Sequence, residues 1–123
     1  MSQSAPPKQV MHRVLIVEDD PLLAMNLEDA LMAGGAEAVV VCDSVAAAMA
    51  ELDRLKPDIL ILDVQLADRD DGWAIAELLE AFGDASPRIV FATGSPEAIP
   101  PAIAGLGTVL SKPFRSDELL AAL

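Results

Sequence analysis

Five short runs rich in Val, Ile and Leu recur along the chain, each separated from the next by a helix-like segment. The runs are Val10–Val17, Ala36–Cys42, Ile59–Asp63, Arg88–Thr93 and Thr108–Ser111. They are apolar at successive rather than alternate positions, the pattern of parallel strands covered on both faces. The segments between them have readable ends. Asp20–Pro21 supplies an N-cap and a first-turn proline, and Gly34–Gly35 stops that helix. Asp43 and Ser44 open Val45–Leu55, which ends at Lys56–Pro57. Gly72 leads into Trp73–Phe82, stopped by Gly83, and Ser116 caps Asp117–Leu123 with two acids in its first turn. Ser95–Leu106 differs: Pro96, Pro100, Pro101 and Gly105 predict a fourth helix that is short or irregular.

Five strand–helix units predict an α/β fold, a doubly wound five-stranded parallel sheet with helices on both faces. The five-unit length fits the flavodoxin-like order 2-1-3-4-5, which sets strands one and three side by side. At 123 residues the chain makes one domain, read as 10–123, with the polar residues 1–9 (MSQSAPPKQ) as a flexible N-terminal arm. A hydrophobic content of 53% excludes disorder as the main state. No run reaches the roughly 18 apolar residues of a spanning helix, and no charged-then-apolar leader opens the chain. The expectation is a soluble, cytoplasmic protein away from membranes. With 8 basic against 20 acidic residues the net charge is −12, which repels phosphate backbones and argues against direct nucleic-acid binding. Cys42, the lone cysteine, excludes internal disulfides and a cysteine zinc cage, and reads as a small buried residue.

In a sheet of this order, ligands bind beyond the carboxyl ends of the strands, at the switch point. Strand one ends in Glu18–Asp19–Asp20, strand three in Asp63, strand four in Thr93–Gly94 and strand five in Ser111–Lys112–Pro113. Asp20, just before Pro21, is read as a helix cap. Glu18, Asp19 and Asp63 within a few ångströms of one another repel unless a cation joins them. A hard divalent cation with oxygen ligands, Mg²⁺ above all, answers that charge and leaves positions free for phosphoryl oxygens. Thr93 and Lys112 are placed to bond or neutralise the remaining phosphoryl oxygens. Asp63, between both sets, is the natural carboxylate nucleophile. Each residue alone has a bland reading, and their joint occurrence at successive strand ends carries the inference.

The segments VLIVEDD (14–20), DILILDVQL (58–66), VFATG (90–94) and SKPF (111–114) resemble those of the response-regulator receiver domains of bacterial two-component signalling. The resemblance covers about Met11 to Leu123. It implies that Asp63 is the phosphoacceptor, taking a phosphoryl group from the phosphohistidine of a sensor histidine kinase or phosphotransfer protein. It implies Asp19 as a direct Mg²⁺ ligand, Glu18 acting mainly through water, and Gln65 lending its backbone carbonyl. Thr93 matches the switch hydroxyl, Lys112 the lysine that reads the phosphoryl charge, and Lys112–Pro113 the family's usual cis bond.

The sequence departs from the usual pattern in places. Ala67 replaces a proline, the loop ADRDDG is one residue longer, and Val109 stands at the aromatic switch position. Only 19 positions separate Thr93 from Lys112, and the last helix stops early. With Phe91-Ala92-Thr93-Gly94, these departures other than the early helix end resemble the FATGUY-type receivers of alphaproteobacteria, typically stand-alone and paired with HWE/HisKA2-type kinases. Val109 offers no ring to rotate inward, so the switch region of Val109 and Pro113 is expected to act through a change of order in Ser95–Leu106. Such a module signals as a monomer or weak homodimer and turns over no external metabolite. Two other readings compete. A haloacid-dehalogenase-type phosphatase needs an acid two residues after the nucleophile, where Gln65 stands, and a phosphorylation-independent pseudo-receiver usually lacks one member of the set. A flavin module wants hydroxyls, not Glu-Asp-Asp, after strand one. Met25, Met32 and Trp73 are expected to pack in the core, and His12 lacks a catalytic partner.

Overall fold

The computed structural model describes residues 13–65, 73–80 and 86–123. The arm 1–9, the opening residues of the first predicted strand, His12, Ala67, the ADRDDG loop with Gly72, and the predicted helix stop at Gly83 lie outside the described residues.

The apolar runs become β1 (Arg13–Val17), β2 (Ala38–Cys42), β3 (Ile59–Leu62), β4 (Arg88–Thr93) and β5 (Thr108–Ser111). They pair in parallel in the order β2-β1-β3-β4-β5, as the unit count predicts. Alternate residues of each central strand feed opposite faces. Leu15, Val17, Leu60, Leu62 and Phe91 pack on one side with α2 (Val45–Leu55), α3 (Ala74–Glu80) and α4 (Pro101–Ala104). Val14, Ile16, Ile59, Ile61 and Val90 pack on the other with α1 (Pro21–Ala33) and α5 (Ser116–Ala121). Burying one such side chain contributes about 1.5–3 kcal/mol.

Local chemistry sets the helix ends. Asp20 accepts from the amides of Leu22 and Leu23 at 3.0 and 3.3 Å. Beyond α1, Gly35 adopts φ +107, which lets the Ala36 amide bond back to the Leu31 carbonyl and that of Gly35 to Met32. This closure holds Ala36 at the helix end, so β2 begins at Ala38 rather than Ala36. Ser44 Oγ accepts from the Ala47 amide at 3.1 Å, and Lys56, ahead of Pro57, ends α2 in the left-handed region at φ 50. A 3₁₀ turn at Pro96–Ala98 and the four residues of α4 are all the helix in the proline-broken segment.

The structure corrects three expectations. Met25 and Met32 are half exposed, because α1 buries Ala24, Leu27 and Leu31, and each methionine lies one residue (about 100°) past that stripe. Of the edge strands, β2 sends Val39 and Val40 into opposite cores as expected, but β5 is not covered on both sides: Thr108, Val109 and Ser111 are exposed. Ser116 is not the cap of α5 but its first residue, and the helix spans Ser116–Ala121. The cap position is Arg115, whose amide donates to Glu118 Oε1 at 2.9 Å. Cys42 is buried, as expected, and Trp73 packs against the α2–α4 face.

Gly107 starts the return from α4 into β5, where a Cβ would sit 2.3 Å from the Ile89 carbonyl oxygen. A Cβ on Gly105 would meet nothing nearer than 3.7 Å. Gly107→Ala should therefore destabilise the fold by about 1–3 kcal/mol in urea unfolding, while Gly105→Ala should be neutral or slightly stabilising. Equal effects of the two would contradict this account of the β4–β5 approach.

Candidate functional site

The parallel register brings the strand ends together. Val17 lies opposite both Cys42 and Leu62, and Thr93 lies opposite Ser111. One further backbone bond then fixes each following residue: Glu18 N donates to Cys42 O, Asp63 N to Val17 O and Lys112 N to Thr93 O, all at 2.9 Å. Glu18, Asp63 and Lys112 thus leave the same edge of the sheet from rigid backbone, with Thr93 as the last residue of β4.

Lys112 Nζ donates to Glu18 Oε1 at 2.7 Å and to Asp63 Oδ2 at 3.1 Å. The other oxygens are held locally. Glu18 Oε2 accepts from the Asp20 amide at 3.1 Å, and Asp63 Oδ1 from the Gln65 amide at 3.0 Å. Thr93 Oγ1 likewise accepts from the Ser95 amide at 3.0 Å. Three side chains from three strand ends are therefore each oriented by the N–H two residues further on, which is the geometry of a side-chain turn. The sequence reading missed these donors at Asp20, Gln65 and Ser95; their signal is the position two residues after each edge residue.

Glu18, Asp63 and Thr93 are buried, whereas Asp19 is exposed. Burial pushes the Glu18 carboxyl above its ordinary range; the bond from Lys112 opposes this and the charge of Asp63 adds to it. Burial works to lower the Lys112 ammonium, but its hydrogen bonds with Glu18 and Asp63 outweigh that and raise it. The site thus contains two desolvated acids, one shared cation and a buried hydroxyl whose own hydrogen is left to donate.

Glu18, Asp19 and Asp63 each offer an oxygen within 4.8 Å of the others. An all-oxygen donor set suits a hard divalent cation. The position of Lys112 shows that this concentration of carboxylate already draws in positive charge. Asp20 stands apart, its side chain engaged as the cap of α1. Lys112–Pro113 is a cis bond.

A family model described as response regulator receiver domain matches residues 14–123. The chain is 31% identical over 115 residues to the chemotaxis protein CheY of Bacillus subtilis (strain 168), covering 91% of this chain and 94% of that protein. Among solved structures, a CheY-like receiver domain from Methylobacillus flagellatus superposes with a TM-score of 0.77 at 23% identity, covering 89% of this chain and 92% of that one. The response regulator PhyR from Brucella abortus gives 0.75 at 32% identity, covering 93% of this chain and 46% of that one. The chain spans a third to a half of several other curated relatives, 33% of LytT from Bacillus anthracis for example. With the match running along nearly the whole chain, this protein belongs to the response regulator receiver domain family.

Proposed function

We propose that this protein is a single-domain response regulator, its receiver unit spanning residues 10–123, that accepts a phosphoryl group on Asp63. The observation that carries the reading is the buried Asp63 carboxylate held between a lysine and an acidic cluster at the switch point of the sheet. The donor is the phosphohistidine of a sensor histidine kinase or a phosphotransfer protein. A carboxylate oxygen of Asp63 attacks phosphorus, the P–O bond forms as the P–N bond breaks, and the imidazole leaves with the electron pair. Glu18, Asp19, Asp63 and the Gln65 carbonyl would hold Mg²⁺, which when bound neutralises charge on the transferring group. Lys112 and the Thr93 hydroxyl meet the phosphoryl oxygens, the first by charge and the second by donating its free hydrogen.

The FATG sequence, Val109 and the broken α4 support a FATGUY-type, stand-alone and cytoplasmic protein paired with an HWE/HisKA2-type kinase. Val109 is 36% exposed beside the short helix. The bond from Ser95 N to Thr93 Oγ1 ties the start of the 95–106 segment to the switch hydroxyl, so turning Thr93 toward a phosphoryl group alters that segment first. The phosphatase reading has no acid at Gln65 to protonate a leaving group.

The test is incubation with acetyl phosphate and Mg²⁺. Intact mass should show one labile phosphoryl adduct in the wild type, none in Asp63→Asn and none after prior chelation. Amide exchange on the same sample should change within 95–106, most at Ser95. An adduct on Asp63→Asn removes the assignment, and unchanged exchange removes the switch.

Lys112 also stabilises the fold, and its sign can be worked out. Its folded value lies above the ordinary 10.5, so the stabilisation is complete below 10.5 and lost as pH rises through the folded value. Lys112→Ala leaves two buried acids uncompensated and should cost about 3 kcal/mol near neutral pH. Glu18 in that variant binds its proton more tightly folded than unfolded, so the deficit shrinks as pH falls toward 4.5. Urea unfolding across pH measures it; a deficit that grows on acidification contradicts the pairing.

A further inference from the structure

The edge strand β2 borders a groove of about 660 Å³ that lies between the start of α1 and α2. Part of its lining is apolar. Val41, 38% exposed, and Ala24 lie toward α1, while Ala47 and Ala50 lie on α2. The rest is acidic: Glu18, Asp19, Asp43 and Glu51 line the groove, and among the described residues none that lines it is basic. The nearest neutralising group on its α2 side is Arg54, whose Nη2 lies 2.6 Å from Glu51 Oε1.

The backbone at this edge is also directional. The Cys42 carbonyl accepts from Glu18, the residue after β1, so the peptide groups of Cys42 and Val40 face β1 while those of Val39 and Val41 face outward. The strand AVVVC carries neither the lysine nor the proline that commonly guards an open edge. Val39 packs on the α1 side, and Val41, two residues on, shares its face. A strand added here would turn alternate side chains toward Val41 and Ala24, and the others toward Glu51.

We propose that this groove receives an extended segment of another protein in which apolar and basic side chains alternate, added as a further strand on β2. Charge complementarity selects the occupant. A second copy of this chain would bring the same acidic rim against itself, with −12 on each partner, so the segment belongs to a different, basic protein. Backbone bonds at the edge supply general affinity, and the acids supply the choice of sequence.

The probe is a fluorescein-labelled peptide of alternating valine and arginine, with a valine–glutamate peptide as control. It is added to the full chain at low salt with a chelator present. Anisotropy should saturate for the arginine peptide alone, with amide shifts centred on Val39, Val41 and Asp43. Asp43→Asn should weaken binding about threefold, and Arg54→Gln should tighten it by a similar factor by freeing Glu51. Val41→Lys should abolish it by guarding the edge, and Asp117→Asn, on α5, should leave it unchanged. Shifts centred elsewhere, unaltered binding in Val41→Lys, or equal weakening by Asp117→Asn and Asp43→Asn would overturn the proposal.

Discussion

One ammonium group between two desolvated carboxylates organises the carboxyl edge of this protein. Glu18 and Asp63 emerge from neighbouring strands at adjacent register positions, both inside the molecular surface. Unpaired, either charge would be strongly unfavourable there, and together they repel. Lys112 reaches across from the far strand to meet both. The second oxygen of each acid is taken by a backbone amide, so the hydrogen bonding of both is satisfied while negative charge stays in excess over the single ammonium.

That arrangement depends on topology. The crossovers that set β1 beside β3 and lead outward through β4 to β5 bring residues far apart in sequence to one edge, all pointing past the strand ends. The two apolar faces are built from alternate residues of the same strands and leave little slack in register. A slip of one residue would turn Leu62 or Phe91 onto the wrong face. The register that fills the core is therefore the register that assembles the site. By contrast, the least regular helix adjoins β4 and β5, where Thr93 and Ser95 stand.

Much of this was legible in the sequence. The central strands announce themselves because they are apolar on both faces. The caps at Asp20 and Ser44, and the stop ahead of Pro57, follow from local chemistry that tertiary contacts do not override. The meeting of Glu18, Asp19, Asp63 and Lys112 follows from strand order alone. What could not be read were choices settled by reach and rotation. Glu118 reaches back to the Arg115 amide, so Ser116 falls one place inside the last helix. The small Ala24 lets α1 lie with Leu27 and Leu31 inward, which turns Met25 and Met32 out. No pattern in the chain indicated that one lysine would bridge both buried acids.

Whether this acidic cluster takes up a divalent cation is read out by a Mg²⁺ titration followed through backbone amide shifts. A single saturable set of shifts at Asp19, Asp63 and Gln65 is expected, strongly weakened in Asp19→Asn although that exposed side chain contributes little to the fold. Shifts that never saturate, or a response identical in the variant, would contradict it.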